Sequence, residues 1–221
     1  DLLMLYAVHG DQQHLPRVRS YRSFLAWLAA QDVQASRRVW AQALEGIGEP
    51  TLLAPSEPGR AISSKAGRVS VVVDESTTAA LSSLGARLGV TLNTFVQAAW
   101  GILLARMTSR NDIVFGATVS GRPADLAGVE SMVGLFINTL PVRVRFEPGE
   151  SIETVLSRLQ AEQADLLAHH YLGLAEIQRI AGSGELFDTL TVFESYPVDE
   201  AGLTEQASSI DNMSVTGVEV E

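Results

Sequence analysis

The sequence contains no cysteine among its 221 residues and only four histidines, His9, His14, His169 and His170. Without cysteine there is no disulfide framework, no thiolate metal site and no cysteine nucleophile. The histidines are too few and too scattered for a zinc centre, which needs clustered nitrogen, sulfur or oxygen ligands. We therefore expect no bound metal in this chain.

Positive charge is also scarce, with 16 Lys and Arg against 26 Asp and Glu and a net charge of −10. An acidic balance argues against nucleic acid as a partner, because the phosphate backbone is itself negative. Apolar stretches are interrupted well before the roughly 18 residues that a membrane helix needs. Residues 1–7 carry neither the basic region nor the cleavage site of a signal peptide. We expect a cytoplasmic protein with no membrane contact.

The sequence is rich in apolar residues, which make up 46% of it, and its length suits one large or two small domains. Apolar residues at helical spacing predict the end of a helix at 1–7 and helices over 21–44, 74–88, 91–104, 151–167 and 175–181. Apolar or β-branched runs predict strands over 68–73, 112–120, 136–146, 187–194 and 213–220. The alternation predicts an α/β fold, a layered α+β sandwich in which helices cover central strands.

Three polar features stand out in these apolar elements. Ser120, Gly121 and Arg122 end a buried strand, which predicts either a ligand site at the strand end or an ordinary turn. Asn138 lies in an apolar strand, and an unpaired buried amide costs about 1–3 kcal/mol, so it either ties strands together or faces a polar cavity. The pair His169-His170 has no acid positioned to orient it, and we interpret it as a helix-end pair that interacts with the helix dipole.

Five segments, taken in order, resemble motifs of one known family. Residues 21–27 are similar to Tyr-x-Asp-Phe-x-x-Trp, with Ser23 in place of Asp, and residues 115–123 to Phe-Gly-x-x-x-Ser-Gly-Arg-Pro. The remaining matches are to Gly-x-Phe-x-Asn-Thr-Leu-Pro-x-Arg at 132–143, His-x-x-x-x-x-x-Glu-Ile at 169–177, and Phe-Asp-Thr-Leu-x-Val-Phe-Glu-x-Tyr-Pro at 186–197. Along most of its length the chain thus resembles the condensation domain of nonribosomal peptide synthetases, mostly its C-terminal lobe.

The resemblance implies a two-lobed fold like that of chloramphenicol acetyltransferase, the CoA-dependent acyltransferase fold, with a tunnel between the lobes. Carrier proteins would bring substrates into the tunnel on 4′-phosphopantetheine arms, and no cofactor would bind directly. The amine of a downstream aminoacyl thioester would attack an upstream acyl or peptidyl thioester and form an amide. The implied partners are the upstream and downstream peptidyl carrier proteins, the N-terminal lobe and an adjacent adenylation domain. Arg17, Arg19 and Arg22 are candidate docking residues for the carriers.

The family's catalytic signature, His-His-x-x-x-Asp-Gly, does not occur in this sequence. His169-His170 cannot replace it, because Leu174 stands where the Asp would have to be. We expect the signature to precede Asp1, the family pattern to continue past Glu221, and the chain alone to be inactive, with no catalytic residue of its own.

The resemblance also implies a division of the chain and a set of site residues. Residues 1–50 would be a helical connection from the missing lobe, 51–67 a Pro-, Gly- and Ser-containing connector and 68–221 an incomplete C-terminal lobe. Ser120 would line the tunnel, Arg122 would fix the floor loop at 121–134, and Asn138 would brace the tunnel wall. The full set of predicted tunnel and floor-loop residues is Ser120, Gly121, Arg122, Gly134, Phe136 and Asn138.

Several functions on the same fold remain open. Epimerisation domains differ after Gly134, where the sequence Phe-Ile-Asn-Thr-Leu-Pro favours condensation. Heterocyclisation domains differ in the first-lobe signature, and stand-alone acyltransferases share the fold. A non-catalytic domain that only docks carrier proteins is an alternative of a different class, and the sequence preceding Asp1 would distinguish it.

Overall fold

The computed structural model describes residues 18–54, 67–182 and 184–194. The predicted helix end at 1–7, the basic residue Arg17 and the predicted strand at 213–220 lie outside the described residues, as does most of the predicted connector. The helices, strands and contacts given below all belong to the three described ranges.

The described chain begins with two short helices, α1 (Arg22–Ala29) and α2 (Val33–Ala43), where the apolar spacing predicts a single helix over 21–44. The prediction of one helix is wrong because Asp32 interrupts it. The Asp32 carboxylate accepts a hydrogen bond from the backbone N–H of Ala35 at 2.9 Å and so caps α2. Aspartate favours such caps over helix interiors, since its short side chain binds nearby backbone N–H groups.

Four further helices follow: α3 (Glu75–Leu88), α4 (Leu92–Thr108), α5 (Ile152–Leu166) and α6 (Leu174–Ile180). Thr91 and Ser151 cap α4 and α5 as predicted, since each side-chain oxygen accepts a hydrogen bond from a backbone N–H three residues on. Asp74 caps α3 in the same way. Hydrogen bonds from Ser76 and Thr77 lower the pKa of Asp74 to about 2, so this cap is charged at neutral pH.

Helices α3 and α4 are joined by a sharp turn. Gly89, with φ of +68°, ends α3 in the left-handed region that favours glycine. The chain bends by 101° between the two helices. Among the described residues, no single helix is long and apolar enough to cross a membrane, and only this bent pair, taken together, meets the length and composition that crossing requires.

The sheet has three strands, β1 (Asp112–Val119), β2 (Asn138–Arg145) and β3 (Leu190–Thr191), in the order β2-β1-β3. β2 runs antiparallel to β1, and β3 runs parallel to it. Pro141 lies opposite Gly116, whose own N–H points the other way and donates to the carbonyl of Thr189 at 2.9 Å. The ladder needs no N–H from Pro141, because β2 lies at an edge of the sheet formed by the described strands.

The strand predictions hold only in part. Residues 68–73 form no strand in the described structure, and Val69, Val71 and Val72 are 92%, 83% and 93% exposed. That prediction is wrong because β-branched residues suit a pleated, half-buried surface, and a strand also needs a partner to pair with. The strand predicted over 136–146 begins only at Asn138, and the one predicted over 187–194 is reduced to β3.

The hydrophobic core lies on both faces of the sheet, which explains the continuous apolar run in β1. Ile113 and Phe115 face one cluster and Val114 the other, following the period-two alternation of a strand. On the first face α4 and α5 contribute Leu104, Val155, Leu156 and Leu159; on the second face, α2, α6 and neighbouring loops contribute Trp40, Leu44, Leu172, Ile177 and Leu186. Helices therefore cover central strands on both sides, as predicted.

One arginine connects the sheet to the end of α2. The Arg143 guanidinium binds both carboxylate oxygens of Asp112, at 2.9 and 2.7 Å, and this pairing raises the pKa of Arg143. It also donates to the backbone carbonyls of Ala43 and Glu45 at 3.2 and 2.8 Å. Paired arginine forks of this kind fix geometry as well as charge, so the position of α2 against β2 is set here.

Gly116 packs closely against the Phe187 ring, and a substitution at Gly116 tests this contact. A Cβ atom at this position would lie 2.6 Å from the Phe187 ring, so Gly116→Ala must displace that ring. We expect the substitution to lower the free energy of unfolding by about 1–3 kcal/mol, measured by thermal unfolding of the chain. Gly48→Ala is the matched control, because its nearest neighbour, Arg110 Nη2, is 3.9 Å from the added atom. Equal melting temperatures for the two variants would contradict the packing.

Candidate functional site

Two of the predicted site segments lie directly against each other. Gly121 has a φ of +61°, and the carbonyl oxygen of Phe136 lies 1.8 Å from where a Cβ of residue 121 would be. Both the left-handed backbone and the close approach require glycine here. The segment that ends β1 and the segment that leads into β2 therefore meet at Gly121.

Gly134 permits a second close approach, this time to α1. The Tyr21 ring lies 2.2 Å from the position that a Cβ of Gly134 would occupy. The Tyr21 hydroxyl donates a hydrogen bond to the carbonyl of the next residue, Leu135, at 2.5 Å. Tyr21 also packs edge-on against Phe136, with ring centroids 5.1 Å apart. The aromatic segment 21–27 thus supports the loop that carries Gly134 and Phe136.

Arg122 organises the loop from the opposite side. Its Nη1 donates hydrogen bonds to the carbonyls of Val129 and, at 3.2 Å, Met132. The centre of its guanidinium lies 4.2 Å from the centroid of the Phe136 ring, a cation–π contact. Val129, Met132 and Phe136 are themselves buried together with Phe24 of α1. One side chain therefore holds two carbonyls and one ring of the 121–137 loop in place.

The side-chain amide of Asn138 makes three hydrogen bonds. Its Nδ2 donates to the carbonyls of His170 and Leu172 at 2.8 and 2.9 Å, and its Oδ1 accepts from the N–H of Thr139 at 2.9 Å. The sequence left open whether Asn138 ties strands together or faces a polar cavity. The structure shows neither alternative among the described residues, since Asn138 ties β2 to the turn after α5.

A second group of side chains holds the same turn and was not predicted from the sequence. The buried Ser36 hydroxyl lies 2.8 Å from His169 Nδ1 and 2.5 Å from the Tyr171 hydroxyl. Trp40, one helical turn further along α2, donates from Nε1 to the carbonyl of His169 at 3.2 Å. A serine one turn from a tryptophan on an apolar helix face is the signal that could have indicated this contact.

The interpretation of the histidine pair as cations at a helix end is wrong for His170. Its side chain is half-buried, and this burial, with a smaller contribution from the neighbouring His169, lowers the pKa of His170 to about 4. The imidazole is therefore neutral at pH 7 and offers no charge to the helix dipole. A pKa so far below neutrality also makes it a weak general base.

These elements surround a cavity of about 370 Å³, here called the site cavity. Ser120, Gly121 and Arg122 line one side, and His170 and Tyr171 line the other. α1 closes it at Trp27, whose Nε1 donates to Asp125 Oδ2 at 3.0 Å. Of the predicted residues, Gly134, Phe136 and Asn138 do not line the cavity. Phe136 and Asn138 contact the segments that do, through Gly121 and Arg122 and through the turn after α5.

A larger groove of about 620 Å³ lies away from the predicted residues, between α2, β2 and α5. Both arginines that line it already form ion pairs. Arg143 binds Asp112, and Arg145 binds Glu162. Since these two positive charges are neutralised within the protein, they do not mark the groove as a site for an anionic ligand.

The chemistry available in the site cavity is binding and positioning. In the three described ranges, no group of three or more His, Asp or Glu side chains is arranged to hold a metal ion. The cavity offers a serine hydroxyl, backbone groups at a glycine and a neutral imidazole, which can hydrogen-bond and orient a substrate. Exposed Ser120 at the end of β1 is open to such a ligand.

Comparison with known protein families gives one match that covers the whole chain. The family model for the condensation domain matches residues 1–221. Among curated proteins, a linear gramicidin synthase of Brevibacillus parabrevis is 44% identical over 210 residues, which is 91% of this chain and 4% of that protein. Surfactin synthase subunit 3 of Bacillus subtilis (strain 168) is 37% identical over 203 residues, covering 91% of this chain and 16% of that protein. The chain thus spans a small part of these relatives.

Solved structures agree with this match. The first condensation domain of the calcium-dependent antibiotic synthetase, in complex with substrate analogue 2a, superposes with a TM-score of 0.67 at 26% identity, covering 90% of this chain and 47% of that one. The X-domain from teicoplanin biosynthesis gives a TM-score of 0.61 at 25% identity, covering 76% and 39%. The fold is therefore the predicted CoA-dependent acyltransferase fold. The chain belongs to the condensation domain family of the nonribosomal peptide synthetases, as its motifs predict.

Proposed function

We propose that this chain forms one wall of a cytoplasmic substrate tunnel in which an amide bond joins two thioesters held on carrier proteins. The reacting groups would be an upstream acyl or peptidyl thioester and a downstream aminoacyl thioester, each on a 4′-phosphopantetheine arm. The observation that carries the proposal is the meeting of Ser120–Arg122 with the 134–138 segment around the site cavity. The family match supplies the reaction class.

In the proposed reaction the amine nitrogen of the downstream substrate attacks the carbonyl carbon of the upstream thioester. The new C–N bond forms as the C–S bond breaks, the sulfur leaves as a thiol of the upstream arm, and the amine loses a proton. Holding two such reactants in register is worth up to about 7–11 kcal/mol of the barrier. A rigid wall built on Gly121, Arg122 and Asn138 would contribute to that positioning.

The proposal assigns proton handling to residues outside this sequence. The signature His-His-x-x-x-Asp-Gly does not occur in it, and a positioned histidine as acid or base is worth roughly 10²–10⁴ in rate. With a pKa of about 4, His170 is a poor substitute near neutral pH. We propose an N-terminal lobe that carries the signature and closes the tunnel from the other side.

Exposed apolar residues next to the site support a partner lobe. Val133, Leu135 and Ile137 are 80%, 76% and 61% exposed, while Phe136 between them is buried. An apolar row of this kind, beside a cavity, is typical of a surface that another protein unit covers. We propose that the N-terminal lobe packs here.

We further propose that carrier proteins dock near α1, with an adenylation domain adjacent in the same polypeptide. Arg19 and Arg22 are both exposed at the start of α1, close to the loop that Tyr21 supports. Many carrier surfaces are acidic, so local basic residues on this acidic chain would provide the attraction. The proposed docking site is next to the site cavity, because α1, which carries Arg22, also lines that cavity at Trp27.

The division of labour between two lobes predicts that the isolated chain has no activity. In an assay that transfers an acyl group between two loaded carrier proteins, we expect no amide product from the 221-residue chain. We expect product from the parent domain, meaning this chain together with the residues that flank it in its own protein. Amide formation by the isolated chain would contradict the division, and its absence from the parent domain would contradict the proposed function.

The role proposed for Asn138 predicts loss of both stability and turnover. Asn138→Ala leaves the carbonyls of His170 and Leu172 without their donor, which costs about 1–3 kcal/mol. In the parent domain we expect a lower melting temperature and a lower kcat. Asn111→Ala is the control, because this exposed asparagine lies at the start of β1 on the opposite end of the sheet from Ser120. If Asn138→Ala left the melting temperature and kcat unchanged, the role proposed for Asn138 in holding the tunnel wall would be contradicted.

A further inference from the structure

A second cavity, of about 310 Å³, adjoins the site cavity and has no role in the function proposed above. It lies between the start of α4 and the end of α5, over the sheet. Leu167 and His170 line both cavities, and Val119, next to Ser120 in the chain, lines the second. A group that extends from a substrate in the site cavity would therefore lie beside this second space, here called the amide cavity.

The amide cavity has a mixed lining of apolar and uncharged polar side chains. Apolar residues, among them Trp40, Leu140 and Val142, make up more than half of it. The carboxamides and hydroxyls belong to Thr91, Asn93, Gln97, Thr118, Gln160 and Gln163. Among the described residues that line it there is no Asp, Glu, Lys or Arg, and His170 is neutral because burial lowers its pKa. A charged ligand group would lose its hydration here without gaining a counter-charge, which is unfavourable.

Three hydrogen bonds hold three of these carboxamides, those of Gln97, Gln160 and Gln163, in fixed positions. Gln160 Oε1 accepts from the N–H of Thr91 at 3.1 Å and from the hydroxyl of Thr94 at 2.6 Å. Gln163 Nε2 donates to Oε1 of the buried Gln97 at 2.6 Å. Side chains fixed in this way lose little entropy when a ligand binds, which is what a selective polar site needs.

One hydrogen-bond acceptor among these carboxamides has no partner in the part of the chain that the structure describes. Asn93 Oδ1 is buried and has no hydrogen-bond partner among the described residues. An unpaired buried acceptor is unfavourable, so a ligand that brings an N–H or O–H donor to it relieves that cost. A purely apolar group in the cavity would leave the acceptor unpaired.

We propose that the amide cavity receives the side chain of one of the two thioester substrates and selects uncharged side chains with hydrogen-bonding groups, above all a carboxamide. A carboxamide offers both donors and an acceptor, matching the fixed amides around it. The volume lies near the lower end of the about 300–1,000 Å³ of ligand pockets, which fits a side chain and not a whole acyl-pantetheine arm. This inference rests on the proposed function, since it needs a substrate in the site cavity.

The test compares glutaminyl, methionyl and glutamyl thioesters in the parent domain, since the three side chains are similar in length. One series varies the upstream residue, and the other varies the downstream residue. The series in which kcat/KM depends on the side chain identifies the substrate that places its side chain in the amide cavity. We expect kcat/KM for glutaminyl to exceed that for methionyl by about tenfold or more, because a site built for hydrogen bonds rejects an analogue that lacks them. Glutamyl should be the poorest substrate.

The double variant Gln97→Met and Gln163→Met removes both members of the hydrogen-bonded pair and retains their length. We expect the ratio of kcat/KM for glutaminyl to that for methionyl to fall to near one, because the fixed hydrogen-bonding groups that favour glutaminyl are lost. Gln34→Met, at an exposed position of α2, is the matched control and should keep the preference. If the double variant melts early, Asn93→Ala gives a second test, because it removes the carboxamide that carries the unpaired acceptor and should also reduce the preference.

The outcomes separate the two proposals. No amide from any substrate pair would overturn the proposed function and this inference with it. Amide formation with no dependence on the side chain, or with a preference that the double variant and Asn93→Ala leave unchanged, would overturn the inference alone and leave a water-filled structural cavity. A wild-type preference for methionyl or glutamyl would overturn it as well.

Discussion

Two side chains, Arg122 and Asn138, each donate hydrogen bonds to a pair of backbone carbonyls in a loop, and the site depends on these four bonds. Arg122 holds Val129 and Met132, and Asn138 holds two carbonyls of the turn after α5. Loop carbonyls have no strand partner, so if buried they need a side-chain donor or water. One guanidinium and one carboxamide therefore each hold one of the two loops that border the site cavity.

Two glycines allow close approaches of the backbone, in addition to the hydrogen bonds that hold the loops. At Gly121 and Gly134 the backbone comes so close to Phe136 and Tyr21 that a Cβ atom would overlap them. The family motifs around these residues thus combine two physical needs, donors that fix the loops and glycines that let them approach. These needs explain the spacing of the motifs without assigning catalysis to any residue in them. That agrees with the proposal that this chain positions substrates.

The parts of the fold that were predictable from the sequence depend on local contacts. The caps at Thr91 and Ser151 bind backbone groups three residues away, and β1 is apolar at successive positions because both of its faces are covered. Local signals were insufficient at Asp32, where a cap divides a periodic apolar pattern, and at 68–73, where strand-forming residues have no partner among the described strands. Ser36 was missed because its contacts, His169 and Tyr171, are more than 130 residues away.

The amino-acid sequence by itself determined the α/β class, the order of most helices and strands and, through its motifs, the family. Only the tertiary structure decided what Asn138 binds, that His170 is neutral, and that two neighbouring cavities share His170 in their linings. The reason is physical: caps and periodicity act within a few residues of the chain. Burial, pKa and the partners of a buried amide are set by groups that folding brings together from distant segments.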